Sequence, residues 1–363
     1  MFFLRIGISE VKEGCILAID VFSKTNRPIL PKRTIITNEL INVLHAFLVR
    51  EIEIEKYLKD GSLFISQENE SSENKQETSQ SPLGFMNLFL QSVNQFKKEF
   101  QSWQAGIPID INKIRSLLLP LLEKTETYSN EIFHLHKFCT KEEYMYQHPV
   151  AVGLISGFIG KKTNLERREW LQLALAGGLA DCGMAKINPK IVNKKSSLTI
   201  HEYEEVKKHP IYSYKMVQNI SVLRKEVKLA ILEHHERLDG SGYPLGEKEL
   251  RIHKYAKIIA IADIFHAMTS ERFYRKKQSP FKVLEMILED SFGKFDISII
   301  KIMTSSMLNF SLGDRILLSD GREAEIIFID EKSPTRPIIK VMITEEVIQL
   351  VRNRQLYIEG ILA

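Results

Sequence analysis

The sequence is poor in cysteine. Its 363 residues contain only three, Cys15, Cys139 and Cys182, which are far apart, odd in number and without a C-x-x-C pair. Neither a disulfide framework nor a zinc knuckle is therefore expected. Because isolated cysteines are typical of reducing compartments, we expect a cytoplasmic chain.

Long apolar runs and clusters of like charge are also missing. The opening before Arg5 is too short for a secretory signal. The best apolar window, 255–268, is interrupted by Lys257 and Asp263, so no membrane span is expected. The 50 basic and 46 acidic residues nearly balance, and the basic pairs are scattered along the chain. Solvated helix faces therefore explain the basic residues better than a nucleic-acid surface does.

The chain is long enough for two or three domains. At about 150 residues per domain it can bury at least one full-sized core. Its 44% apolar and 26% charged residues are typical of an ordinary folded protein. Residues 67–82 contain no apolar residue, and such a segment cannot bury enough surface to offset its ordering entropy. We predict a disordered linker over 67–84 between two folded parts.

The part before the linker, 1–66, combines short β-rich runs with one helix. Asn38 is placed to cap a helix whose apolar stripe contains Leu40, Leu44 and Phe47. The segment that follows alternates isoleucine with glutamate, as a half-buried strand does. We predict a small α+β module.

The part after the linker changes once from a helical to a β pattern of apolar residues. Over 85–310 the apolar spacing is helical almost throughout, as in the stripe within 114–122, so we predict an all-helical central domain. Two later apolar runs meet at Asp320-Gly321, a strong hairpin signal. Residues 311–363 are therefore predicted to form a small all-β barrel or curled sheet. The expected fold class is mainly α, with a small module on each side of the helical domain.

Histidines and acids of the central domain are spaced for a metal site. Gaps of about one helix plus one loop would let successive helices each send one or two ligands to a shared centre. Imidazole together with carboxylate suits iron, manganese or zinc. The alternative is that each histidine is a core residue whose ring is satisfied by its neighbours. The candidate ligands are His148, Asp181, His209, His234, His235 and Asp263.

The most specific segment is HHERLDGSGYP at 234–244. At helical spacing His234 shares a face with three apolar residues, and His235 lies ~100° around the helix, so both could reach one ion. Asp239 and the glycines after it are predicted to stop this helix and to allow close backbone approach to a ligand. A helix end with an ordinary glycine-rich turn is the alternative. The expected ligand contacts are Gly240, Gly242, Tyr243 and Pro244.

This segment resembles the signature of the HD-GYP family, HD-superfamily phosphohydrolases that cleave cyclic di-GMP. The similarity spans about 140–310, and three further segments support it in the expected order. They resemble the family segments that supply a first metal-binding histidine, a second one on a helix, and a last metal-binding aspartate followed by arginines that hold phosphate. In this chain the segments are 146–152 with His148, 199–210 with His209, and 260–276 with Asp263, Arg272 and Arg275.

The resemblance implies a metal-dependent phosphodiesterase with one or two divalent ions, iron or manganese. Two ions bridged by one carboxylate activate a water and neutralise charge on the phosphate. The flanking modules are similar to ones fused to such domains, which suggests protein partners and leaves a homodimer open. The implied ligand sets are Asp181, His209, His234 and His235 for one ion, and Asp181, His148 and Asp263 for the other.

The chain departs from the family pattern at four positions. Where the family has a stretch like LHDIGK, Ala180 replaces the histidine and Met184 replaces the lysine, which removes a nitrogen ligand and a positive charge. Tyr144 stands where three-ion members have a glutamate, which argues against a third ion. His266 stands where the family has a second aspartate. One hypothesis is that His266 supplies the nitrogen lost at position 180; the alternative is a histidine satisfied by a neighbouring carbonyl or acid.

Three functions remain open from the sequence. The two losses favour a receptor for cyclic di-GMP, or a very slow phosphodiesterase, over a fully active enzyme that releases pGpG or GMP. Losing one electrostatic donor at such a centre costs ~10² to 10³ in rate. The third function is a catalytically dead scaffold that binds proteins only.

Overall fold

The structure is a computed structural model. It describes residues 4–8, 11–22, 28–46, 49, 51–55, 82–125, 127–273, 275–289, 293–308, 310–330 and 333–362. The chain divides into two compact units, Met1–Thr78 and Ser79–Ala363. Most of the predicted linker, 67–81, lies outside the described residues. Within the described part, no helix is both long and apolar enough to cross a membrane.

The first unit is a small α+β module, as predicted. Its elements are β1 (Leu4–Gly7), β2 (Val21–Phe22), β3 (Pro28–Leu30), α1 (Asn38–Ala46) and β4 (Glu51–Ile54). Antiparallel pairing joins β1 to β4 and β2 to β3. Leu44 of α1 is fully buried with Leu17 and Ile36. Phe47, the last member of the predicted stripe, lies outside the described residues.

The second unit is mainly helical, which confirms the fold class. Helix α2 begins at Pro82, inside the range predicted as linker, because proline suits the first turn of a helix. Short 3₁₀ turns cover Leu135–Phe138 and Cys182–Lys186. The helices are α2 (Pro82–Gln104), α3 (Ile111–Glu123), α4 (Ser129–Ile132), α5 (Tyr144–Lys162), α6 (Arg167–Leu179), α7 (Pro189–Val192), α8 (Ile200–Val206), α9 (His209–Val217), α10 (Lys225–Glu233), α11 (Lys254–Thr269), α12 (Pro280–Glu289) and α13 (Ile297–Met307).

Side-chain caps fix where several of these helices begin. Asp110 caps α3 by accepting the N–H of Asn112 at 3.0 Å. At the start of α8, the side chains of Thr199 and Glu202 accept each other's backbone N–H and form a capping box. The apolar stripe predicted within 114–122 is buried along α3.

Helices α5 and α6 pack closely through glycine. A Cβ atom on Gly153 would lie 2.9 Å from the carbonyl oxygen of Ala174, and one on Gly177 would lie 2.9 Å from that of Val152. Larger side chains would therefore force the two helices apart. The contact places the first turns of α5, which carry His148, beside the end of α6.

The chain ends in an antiparallel sheet. Its strands are β5 (Arg315–Leu318), β6 (Glu323–Phe328), β7 (Ile338–Val341), β8 (Val347–Gln349) and β9 (Ile358–Ile361), in the order β8-β7-β6-β5-β9. Gly321 has a φ of 86° between β5 and β6, which confirms the predicted hairpin. The sequence did not predict β8. The sheet packs on the helical core, where Arg336 forms a buried 2.6 Å ion pair with Glu285 of α12.

Candidate metal centre

The candidate ligands converge where the ends of several helices meet α11. One of them, His209, is the first residue of α9, which follows the end of α8 at Val206. The six ligands come from five chain segments, each of which supplies one or two, as the spacing predicted. They are His148 in α5, Asp181 after α6, His209 in α9, His234 and His235 after α10, and Asp263 in α11.

Four of these residues form a first ligand group. Ligand atoms of Asp181, His209, His234 and His235 all lie within 4.8 Å of one another. Oδ1 of Asp181 is 3.0 Å from Nε2 of His209 and 3.5 Å from Nε2 of His234. Three nitrogens and a carboxylate oxygen around one point are a donor set that suits a divalent transition metal.

A second ligand group shares one member with the first. Ligand atoms of His148, Asp181 and Asp263 also lie within 4.8 Å of one another. Nε2 of His148 is 2.9 Å from Oδ1 of Asp263 and 3.5 Å from Oδ2 of Asp181. Asp181 therefore turns one carboxylate oxygen toward each group, which is the geometry of a ligand that bridges two ions.

The backbone fixes the ring orientation of two histidines. Nδ1 of His209 lies 2.7 Å from the carbonyl oxygen of Val206, and Nδ1 of His234 lies 2.7 Å from that of Ile231. Only a proton on Nδ1 satisfies these carbonyls, so the Nε2 lone pair of each ring faces the first ligand group. The residues thus fit a metal ion.

The buried groups have the protonation states that metal ligands need. Burial acts to raise the pKa of Asp181, but the neighbouring histidines, His209 first, outweigh it and hold this pKa well below its ordinary value. The pKa of Asp263 is likewise lowered, against its burial, mainly by the hydrogen bond with His148. Burial lowers the pKa of His235 well below its ordinary value. At neutral pH the two aspartates are therefore ionised and His235 is neutral.

A residue that the sequence analysis missed organises the loop after the histidine pair. Helix α10 ends at Glu233, so the prediction that it extends to Asp239 was wrong. The buried carboxylate of Glu236 accepts the backbone N–H groups of residues 245–247 at 2.6, 3.2 and 3.0 Å and turns the chain back on itself. No residue pattern marks this role, because the carboxylate bonds to backbone groups 9 to 11 residues later in the chain.

The predicted ligand-contacting residues lie along this loop. A Cβ atom on Gly242 would lie 2.4 Å from backbone atoms five and six residues earlier, so only glycine permits this approach. Gly240 has a φ of 83°. The backbone N–H of Tyr243 donates to the carbonyl of His235, and the two rings are 4.7 Å apart between centroids. Pro244 follows and is half-buried. The loop thus borders the first ligand group.

Arg272 lies at the opposite end of the cluster. Its guanidinium lies over the ring of Tyr144, 4.2 Å from the centroid, and donates to the Tyr144 hydroxyl. The Tyr144 ring in turn stacks on that of His148, with centroids 5.0 Å apart. Arg275 pairs with Arg272 through the backbone, and its side chain is exposed. Arg272 is therefore adjacent to the second ligand group, whereas Arg275 extends outward.

The four positions that depart from the family pattern do not replace the nitrogen ligand lost at position 180, as far as the described residues show. Ala180 and Met184 are buried, and Ala180 lines a narrow pocket beside the cluster. His266 belongs to neither ligand group. Its Nδ1 lies 2.9 Å from Nδ1 of His148, whereas the cluster faces the Nε2 atom of that ring. His266 therefore contacts a candidate ligand rather than the centre itself.

Comparisons with known proteins agree with this geometry. Residues 133–299 match the family model described as HD domain. Cyclic di-GMP phosphodiesterase PA4108 of Pseudomonas aeruginosa is 27% identical over 242 residues, which cover 67% of this chain and 58% of the relative. Cyclic di-GMP phosphodiesterase PdeB of Borreliella burgdorferi is 32% identical over 201 residues, which cover 55% of this chain and 52% of the relative.

A solved structure shares the fold. The HDG"Y"P protein Bd1817 of Bdellovibrio bacteriovorus aligns over 84% of this chain and 99% of its own length, with a TM-score of 0.52 and 16% identity. The chain spans only a little over half the length of the two curated relatives. Residues 133–299 thus match the HD domain model, and the resemblance to HD-GYP proteins is confirmed.

Proposed function

We propose that this chain binds cyclic di-GMP at a centre of two divalent ions, iron or manganese, and hydrolyses it slowly. The observation that carries the proposal is the carboxylate of Asp181, which belongs to both ligand groups. The similarity to proteins named as cyclic di-GMP phosphodiesterases indicates the substrate. We assign the activity to the helical part, 85–310, with 1–66 and 311–363 as flanking modules that contact protein partners.

The residues around the centre suit a charged phosphodiester. Ions bound by the two ligand groups would activate a water and neutralise charge on the phosphate. Because Asp181 belongs to both groups, a phosphodiester that reached an ion at one group would also lie near the other group. Tyr144 holds Arg272 beside His148, where its planar guanidinium can donate to a phosphate oxygen.

The rim beside the GYP loop suits a nucleobase. The ammonium of Lys207 lies 5.7 Å from the ring centroids of both Tyr203 and Tyr243. Tyr203 is 49% exposed, so its ring is open to a ligand. Aromatic faces next to a positive charge are typical platforms for stacked bases. A dinucleotide with its phosphate at the ions would place a base on this rim.

Two losses make the hydrolysis slow. The second ligand group offers three protein ligands against four in the first, and Ala180 adds none. Met184 is buried and apolar where a cation would stabilise the phosphate. Each lost electrostatic donor costs ~10² to 10³ in rate. The same two side chains favour the second candidate function, a receptor that binds the intact dinucleotide without cleaving it.

An anaerobic assay tests the proposal. The full chain is loaded with Fe(II) or Mn(II), and cyclic di-GMP hydrolysis to pGpG or GMP is followed by chromatography in wild type and in Asp181→Ala. Product from wild type alone supports the proposal, whereas equal product from the variant would show that the assigned centre is wrong. If no product forms, thermal stabilisation by the intact dinucleotide supports the receptor, since ligand at 100 times its Kd adds about 2.7 kcal/mol. The absence of any response supports a protein-binding scaffold.

A further inference from the structure

His266 of α11 is buried directly behind His148. The Nδ1 atoms of the two rings are 2.9 Å apart, their centroids are 5.1 Å apart, and His266 is 1% exposed. Nε2 of His148 faces Asp263 at 2.9 Å. One ring nitrogen of His148 thus faces the ligand cluster, while the other faces His266.

This contact requires one shared proton. Two nitrogens at 2.9 Å form a hydrogen bond only when one donates and the other accepts. An ion on Nε2 of His148 leaves the proton of that ring on Nδ1, so Nδ1 of His266 must accept it. The proton of His266 then lies on Nε2, where Sγ of Cys139 at 3.5 Å and Oγ of Ser270 at 3.5 Å are the available acceptors.

His148 differs in this respect from two other histidines of the cluster. Nδ1–H of His209 and Nδ1–H of His234 donate to backbone carbonyls, which no substitution removes. His148 uses a side chain instead. Its orientation therefore depends on the identity of residue 266, and a substitution there changes one ligand group and leaves the other intact.

We propose that His266 is a positioning residue for the second ion. It accepts the Nδ1–H of His148, orients that ring toward the centre, and leaves the second ion bound more weakly than a carboxylate acceptor would. A carboxylate behind a metal-binding imidazole raises the basicity of the ligand, and a neutral imidazole does so less. The inference rests on the two-ion centre of the proposed function, but not on hydrolysis.

The test measures metal binding by the full chain rather than turnover. Calorimetric titration with Mn(II), with metal content measured alongside, is applied to wild type and to His266→Ala, His266→Asn and His266→Asp. We expect wild type to bind two ions with different affinities. His266→Ala should weaken the weaker site by 10- to 100-fold and leave the tighter site unchanged. His266→Asn, whose amide oxygen accepts a hydrogen bond, should retain most of the affinity, and His266→Asp should exceed wild type.

A matched control separates positioning from packing. His136→Ala removes another buried histidine, whose Nδ1 bonds to the Phe133 carbonyl outside both ligand groups, and it should change neither affinity. Equal weakening of both sites in His266→Ala and His266→Asn, or an unchanged weaker site in His266→Ala, would overturn the proposal. A wild-type chain that binds fewer than two ions would overturn both this inference and the proposed function. Two bound ions without hydrolysis would contradict the proposed function alone.

Discussion

Ser213 of α9 donates a hydrogen bond of 2.7 Å from its hydroxyl to the carbonyl oxygen of Ala180. The same hydroxyl accepts the N–H of Gly183 at 2.8 Å, so it holds the turn that carries Asp181 from both sides. Neither bond involves the side chain at position 180. The alanine therefore removes a ligand nitrogen but leaves Asp181 directed at both ligand groups.

Restoring a histidine at position 180 is expected to restore a ligand. Ala180 borders a pocket shared with His148 and Asp263, so an imidazole there would lie beside the second ligand group. We expect Ala180→His to tighten the second ion and to raise the rate of hydrolysis on the order of tenfold or more. Initial rates and metal content with Mn(II) are the measurements. Ala180→Leu adds bulk without a nitrogen, and an equal gain in that variant would show that the nitrogen is not responsible.

Gly183 is expected to be intolerant of any side chain. A Cβ atom there would lie 2.2 Å from the carbonyl oxygen of His209 and 2.5 Å from the backbone nitrogen of Ser213. Backbone atoms of α9 would have to shift, so we expect Gly183→Ala to lower the free energy of unfolding by about 1–3 kcal/mol or more. Urea unfolding with a chelator measures this change. Gly360→Ala is the control, because its added Cβ would have nothing within 4 Å, and equal stability of the two variants would refute the argument.

The candidate metal ligands could be predicted from the sequence, whereas the side chains that fix the backbone around them could not. Histidines and aspartates at helix-plus-loop spacing are visible as residue types, and a family resemblance orders them. Ser213 and Glu236 act on backbone groups 33 and about ten residues away, and no residue pattern shows such bonds. The predicted end of α10 was wrong for the same reason. Helical spacing continues through His234, but the carboxylate of Glu236 organises a loop instead.

Glu236 is expected to control dinucleotide binding without affecting the metal. Its carboxylate accepts three backbone N–H groups of residues 245–247. A glutamine has one acceptor oxygen and would turn an N–H group toward a donor, which costs about 1.5–3 kcal/mol at a charged hydrogen bond. We expect Glu236→Gln to weaken cyclic di-GMP binding about tenfold or more, since 1.4 kcal/mol corresponds to a factor of ten. Calorimetry with metal-loaded protein gives the Kd.

The exposed neighbour Glu249 provides a matched control for this substitution. Glu249→Gln removes the same charge from the same segment without breaking the three hydrogen bonds, so its Kd should equal that of wild type. Metal content should be unchanged in both variants. If Glu236→Gln binds the dinucleotide as wild type does, the loop does not contact the ligand.

Acid is expected to destabilise the protein through a histidine outside both ligand groups. Burial, with a smaller contribution from His134, lowers the pKa of His136 to about 3, against about 6.5 in the unfolded chain. Between these values the unfolded chain binds the proton and the folded chain does not. The free energy of unfolding is therefore not reduced by His136 above about pH 6.5, and this group reduces it progressively as the pH falls toward 3. From pH 7 to pH 5 this group alone should lower the free energy of unfolding by about 2 kcal/mol.

Urea unfolding at pH 7 and pH 5, with a chelator so that metal binding does not contribute, measures this effect. His136→Asn is the informative variant, because its amide does not titrate and can still donate to the carbonyl of Phe133, as Nδ1 of His136 does. We expect the loss of stability between the two pH values to be smaller in the variant by about 2 kcal/mol. An identical loss in both proteins would mean that His136 takes up its proton in the folded state, which its burial opposes.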